Sequence, residues 1–81
     1  MDDETQKVIS VIKKVLRGVN KKIPDKISGK TSFRNELILD SLDWAEIIVR
    51  LEEEIGFEIW SDFLRMEIET ISDLAEICRV Q

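Results

Sequence analysis

Val8, Ile12, Val15, Leu16 and Val19 recur at helical spacing and fall on one face, the signature of an amphipathic α-helix. This first helix is expected to begin at Asp2 or Asp3 and run to about Val19. Asp2, Asp3 and Glu4 sit where carboxylates favour the positive end of a helix dipole. From Asn20 to Leu39 no period is sustained, and Pro24, Ser28 and Gly29 punctuate the stretch. It reads as a long loop, with Ile23, Ile27, Phe33 and Leu37 expected to pin it to the core. A loop of this length in a compact domain generally serves a purpose.

A second helix is the clearest element. Asp40 can cap it, and Asp43 stands where the acid of a capping box belongs. Leu42, Ala45, Ile48, Leu51 and Ile55 give the inward spacing, with Ile47 and Val49 flanking, and Gly56 stops the helix. A short third segment is expected over roughly Ser61 to Met66. Thr70 then caps a last helix through Ile71, Leu74, Ala75 and Ile77 to about Arg79. Strand alternation, internal repeats and low-complexity tracts are missing from the pattern. The expectation is an all-α fold, a small bundle of three main helices plus one short one, forming a single domain over residues 1–81.

Composition narrows what such a bundle can do. The 81 residues are 43% hydrophobic and 36% charged, as in folded proteins. So short a chain has little room for both a scaffold and a deep enclosed active site. One cysteine, Cys78, cannot form an internal disulfide, and there is no histidine to help it bind a metal. A reducing cytosol suits this cysteine usage, so a cytoplasmic protein is expected. Ser-His and Cys-His catalysis are excluded for want of a histidine, no Gly-rich phosphate loop exists, and no catalytic residue is assigned. Cys78 reads as a small buried hydrophobe. The net charge of −5 is unevenly spread: residues 1–35 carry nine basic and four acidic side chains, residues 36–81 three basic and thirteen acidic. The acidic half repels nucleic acid and steers basic protein surfaces toward it. Without a long apolar run, neither a signal peptide nor stable membrane insertion is expected.

What remains is Asp40-Ser41-Leu42-Asp43 at the start of helix two. A serine there lies near unpaired backbone N–H groups, which together with the helix dipole favour an anion such as a phosphodiester. The preceding loop leaves the serine open to an enzyme. No base stands beside it in sequence, so its activation must come from a partner. On these grounds Ser41 is a candidate modification site, and an ordinary Asp-Ser helix start is the alternative.

The surrounding stretch FRNELILDSLDWAEIIVRLEEEIGFEI, together with the later TISDLAEI, resembles the acyl carrier protein family. The likeness takes in the loop phenylalanine, the leucine before the motif, the DSLD core, the Glu-plus-aliphatic run and the Leu-Glu-Glu-Glu ending. It implies that Ser41 carries 4′-phosphopantetheine, taken from coenzyme A by a phosphopantetheinyl transferase. Mg²⁺ takes part only in that transferase complex, where Asp40 helps hold it. The arm's thiol would then carry acyl groups as thioesters to loading, synthase or acyltransferase enzymes of lipid or polyketide biosynthesis. Leu42, Asp43, Glu46, Glu53 and Glu54 match positions on the helix that meets basic patches of partner enzymes, and Trp44 and Arg50 on the same helix are added as candidate partner contacts. Weak pairs of exposed charges suit a carrier that must leave each partner. Ile48, Leu51, Leu64 and Ile68 are candidate lining for a sheltered acyl chain, with core packing as the plainer reading.

Several positions depart from the family pattern. Ile38 replaces a usual glycine, which suggests an apolar contact instead of a sharp bend. Trp44 follows the DSLD core and is either a partner-facing anchor or a side chain packed on the loop. Arg50 interrupts the acidic face. Trp60 replaces a frequent proline, so the third-helix region is expected to be reshaped around Trp60 and Phe63. These departures point to a specialised carrier; the length and the starting Met suggest that it stands alone, and a monomer is expected. The competing readings are a peptidyl or aminoacyl carrier and an unmodified module that docks through its acidic helix.

Overall fold

The computed structural model describes residues 3–80. Four helices follow one another: α1 (Asp3–Gly18), α2 (Ser41–Ile55), α3 (Trp60–Arg65) and α4 (Ile71–Arg79). Among the described residues no strand forms beyond one isolated bridge between Ser32 and Thr70. The all-α expectation with three main helices, one short one and a long first loop therefore holds. Of the proposed starts of α1, Asp2 lies outside the described residues.

The core is one cluster fed by every region of the chain. Val8, Ile12, Val15 and Leu16 of α1, Ile47, Ile48 and Leu51 of α2, and Ile71, Leu74 and Ile77 of α4 are all buried. Phe33 and Leu37 seal it from the loop, while Ile23 and Ile27 pack against it half-buried. α1 lies against both α2 and α4, and so forms the middle of the bundle.

Three sequence expectations about burial shift. Val19 is 40% exposed, because α1 has ended before it. The Lys21 N–H donates to the Leu16 carbonyl at 2.9 Å, the Asn20 N–H to Arg17 at 3.2 Å, and Asn20 adopts φ 61°. That is a Schellman closure with asparagine in the left-handed position, and it turns the chain away from the core. On α2, Leu42 is 79% exposed while Ile47 is fully buried. The inward stripe runs through Trp44, Ile47, Ile48, Leu51 and Ile55, one step around the helix from the predicted one. Ile38 makes no apolar contact of the kind expected: it is 77% exposed. Leu37 and Leu39 turn inward on either side of it, and an extended segment sends alternate side chains to opposite faces.

The long loop is held by the start of α4. The first N–H groups of a helix have no partner within it. Here the Ile71 N–H donates to the Thr31 carbonyl at 3.2 Å and the Ser72 N–H to Gly29 at 2.8 Å. The Phe33 N–H in turn donates to Glu69 at 2.9 Å. A β-carbon at Gly29 would stand 2.8 Å from Ser72 Oγ, so a larger residue there would make the Ser72 side chain turn aside.

Both predicted caps close as full capping boxes. At α4 the Asp73 N–H donates to Thr70 Oγ1, while Asp73 Oδ2 accepts the Glu69 and Thr70 N–H groups at 2.9 and 3.0 Å. Those backbone donors, Glu69 first, hold the Asp73 carboxyl below its ordinary 3.8. A carboxyl lowered in the folded state adds stability above its unfolded value and loses it as pH falls through the folded one. Asp73→Asn is therefore expected to lower stability by about 1 kcal/mol at neutral pH and to flatten the acid limb below pH 3.8. Urea unfolding at neutral pH and pH 3 measures both.

Candidate functional site

Ser41 is the first residue of α2 and is exposed. Among the described residues nothing hydrogen-bonds its hydroxyl, in contrast with the loop serines. Ser28 Oγ accepts the Lys30 N–H and Ser32 Oγ the Asn35 N–H. Ser41 thus combines an open hydroxyl with the positive end of a 15-residue helix.

The residues around it are tightly fixed. Asp40 caps α2, its Oδ1 accepting the Asp43 N–H at 2.9 Å, and Asp43 Oδ2 accepts the Asp40 N–H at 3.2 Å. Lys21 closes the arrangement from outside: its ammonium pairs with Asp43 Oδ2 and lies 3.4 Å from Asp40 Oδ2. The Schellman turn that ends α1 delivers Lys21 to this point. The Asp43 N–H, and beyond it the Lys21 charge, hold the Asp40 carboxyl below its ordinary range, so Asp40 is ionised beside Ser41.

Sequence reasoning missed Lys21 because its contacts span 19 and 22 residues. The only signal available was an excess of acids at the cap of α2 and of bases after α1. Its hydrogen bond to Asp43 raises the Lys21 pKa above 10.5. A raised lysine contributes stability that is complete below its unfolded value and lost as pH climbs through the folded one. Lys21→Met is expected to melt at lower temperature than the parent at neutral pH, the gap closing above pH 10.5. Thermal melts across that range test it.

The other predicted site residues divide into two groups. Leu42, Arg50, Glu53 and Glu54 are exposed. Glu46 is half-exposed and accepts from Arg50 at 3.0 Å, an i,i+4 pair that cancels charge mid-helix. Two residues do not face a partner as expected. Asp43 is 3% exposed, because the capping box and Lys21 draw its carboxylate inward. Trp44 is half-buried, with Phe33 at 4.6 Å and Phe63 at 5.1 Å between ring centroids, so packing on the loop describes it. The proposed acyl lining also divides, since Ile48 and Leu51 are fully buried whereas Leu64 is 65% exposed. Cys78 is buried, and burial pushes its thiol up to about 11, as suits an unreactive core residue.

Residues 6–78 match the family described as phosphopantetheine attachment site. The chain belongs to the phosphopantetheine-binding acyl carrier protein family. Members carry 4′-phosphopantetheine as their prosthetic group, and the open Ser41 hydroxyl at an anion-favouring helix end fits a phosphodiester. The mitochondrial acyl carrier protein 2 of Arabidopsis thaliana is 47% identical over 55 residues, covering 68% of this chain and 40% of that protein. The mitochondrial acyl carrier protein of Saccharomyces cerevisiae is 39% identical over 77 residues, covering 91% of this chain and 62% of that protein. The chain therefore spans less than two thirds of each relative. No solved structure matches it. Among the described residues, no helix is long and apolar enough to cross a membrane, and no acidic, His or Cys cluster could hold a metal.

Proposed function

We propose that this chain is an acyl carrier whose arm is attached at Ser41. The observation that carries the reading is the unbonded Ser41 hydroxyl at the start of α2, within the stretch that matches the family. In the attachment reaction Ser41 Oγ displaces the adenosine bisphosphate half of coenzyme A and forms a phosphodiester. Among the described residues no side chain hydrogen-bonds the Ser41 hydroxyl, so the transferase is expected to take its proton. Asp40, held ionised and in place by the cap, is the residue of this chain that would face the transferase's Mg²⁺. The arm's thiol supplies the thioester, and the protein itself contributes presentation rather than catalysis.

The exposed acids of α2 support docking to basic enzyme surfaces, with Glu53 and Glu54 carrying more of it than the Arg50-paired Glu46. Both relatives are named as mitochondrial, which supports a carrier of the mitochondrial kind over the cytoplasmic one expected from cysteine usage. The test is incubation with coenzyme A, Mg²⁺ and a broad-specificity transferase, followed by intact mass measurement. A gain of one arm is expected. No gain with any transferase overturns the reading in favour of an unmodified docking module.

A further inference from the structure

The outer face of α1 carries a surface that attachment at Ser41 does not use. Lys7, Lys14 and Arg17 are exposed and Lys13 is half-buried. Lys7 and Lys14 are seven residues apart, and Arg17 follows Lys13 by four and Lys14 by three. The four therefore share the side of α1 opposite its buried stripe. Gln6 and Ser10 fill the ground between them, and Asp3 in the first turn is the one exposed acid of the helix.

These charges do little for the fold. Arg50, Arg65 and Arg79 each pair with an acid. Lys7, Lys13, Lys14 and Arg17, among the described residues, make no ion pair. Like charges three and four apart on a helix repel. Only Arg17 stands in the last turn, where a cation suits the helix dipole.

What the face lacks says what can sit on it. α1 has no aromatic ring and no exposed large apolar side chain. A protein interface centres on such anchors and is depleted in lysine, and unpaired nucleic-acid bases need rings to stack on. Three of the four cations are lysines, hydrated point charges without the planar fork that arginine offers to a single carboxylate or phosphate. Point charges spread along a helix of 16 residues, about 24 Å long, suit a plane of negative charge, which asks for no matching shape. The net charge of −5 does not oppose such a contact. The molecule is 21 Å across even in its shortest dimension, and physiological salt screens charges beyond about 8 Å. We propose that α1 rests the protein on an anionic lipid surface through Lys7, Lys13, Lys14 and Arg17, without inserting into it. Lys21, just beyond α1, pairs with Asp40 and Asp43, so the C-terminal end of this face and Ser41 share one end of the bundle. Docking thus holds Ser41 near the lipid. It needs no arm, so its failure and that of attachment at Ser41 are separate results.

The experiment uses the full chain without its arm and vesicles of phosphatidylcholine and phosphatidylglycerol, about two to one. Co-sedimentation with these vesicles at low salt is expected, with none on phosphatidylcholine alone. Lys7→Gln with Lys14→Gln should weaken binding at least about tenfold. Lys26→Gln with Lys30→Gln removes the same charge from exposed positions of the loop and should change binding less than about twofold. Circular dichroism checks that each variant folds. A polarity-sensitive dye on Ser10→Cys, at the centre of the face, should shift to the blue on binding, and one on Glu58→Cys should not. Cys78 stays unlabelled because it is buried and its thiol is pushed up to about 11. Failure to bind the mixed vesicles overturns the proposal. So does equal weakening by both lysine pairs, which marks attraction to net charge alone, or an equal shift of the two dyes. A duplex DNA oligonucleotide that strips the protein from the vesicles at equal phosphate also overturns it, by naming nucleic acid as the occupant.

Discussion

Ser41→Ala is expected to abolish attachment of 4′-phosphopantetheine completely while leaving the fold untouched. The two halves of that expectation come from the same geometry. Ser41 is exposed, and among the described residues nothing hydrogen-bonds its hydroxyl. The N-terminal cap of α2 is made by Asp40, Asp43 and Lys21 without it. Replacing an exposed, unbonded side chain changes stability by less than about 0.5 kcal/mol, and alanine is the better helix former. Loss of the hydroxyl nevertheless removes the atom proposed to become the phosphodiester oxygen. The measurement is intact mass after transferase treatment, with thermal melts of both proteins alongside. Attachment to the alanine variant would move the site to another serine, of which Ser28 and Ser32 are the least available because their hydroxyls hold loop turns. Asp40→Asn separates cap from charge. Asparagine caps a helix as well as aspartate does, so slower loading with an unchanged fold would locate the need for a carboxylate beside Ser41.

The starts and stops of α2 and α4 were legible because they are local. Asp40 with Asp43 and Thr70 around Ile71 are cap chemistry written within a few residues, and Gly56 marks a left-handed turn that other residues resist. The family likeness located Ser41 for the same reason, since its motif is contiguous. What stayed hidden depends on partners distant in sequence. Nothing local says that Gly29 and Thr31 accept the first N–H groups of α4, or that Lys21 reaches the cap of α2. The rotation of α2 was misjudged by one step because Leu42 and Ile47 are equally apolar. Only packing against α1 decides that Ile47 goes in, and the exposed Leu42 then borders the surface beside Ser41. Asp43 was read both as a capping-box acid and as a partner contact; the cap holds, and with Lys21 it draws the carboxylate inside.

That placement redistributes the charge a partner meets. Asp43 is consumed internally and Glu46 is paired with Arg50, so the free negative charge of α2 gathers at Glu53 and Glu54. Glu58 extends it onto the α2–α3 connection. Steering by charge and contact at the arm are thus separated along the helix. On the proposed function, approaching basic surfaces would be attracted to one end and Ser41 presented at the other. Exposed pairs of this kind are individually weak and screened by salt, which favours rapid exchange among partners.

One half-buried side chain carries a large part of the attachment of α3, and Trp44→Ala should loosen that helix. α3 has only six residues, none of them buried, and is too short to persist alone. Its links to the body include Ile59 at its start, which is fully buried, the Glu52 carboxylate that accepts the Ile59 and Trp60 N–H groups, contacts with α4, and Phe63, which packs against Trp44. Trp44 in turn leans on Phe33 of the loop. The three rings form a continuous row with spacings and tilts at which aromatic pairs attract. Truncating a buried tryptophan to alanine costs about 3–5 kcal/mol; half-burial brings the expectation to about 2–3 kcal/mol. Against a total of about 4–12 kcal/mol for a chain this long, that is a large fraction, worth roughly 10–20 °C in melting temperature. Trp44→Phe keeps a ring between Phe33 and Phe63 and should recover more than half of the loss. Hydrogen exchange locates the effect: the Phe63 and Met66 amides, bonded to Ile59 and Asp62, should lose protection before those of α1. A Trp44→Ala variant as stable as the parent, with α3 amides unchanged, would mean that Ile59, Glu52 and α4 hold α3 without the tryptophan.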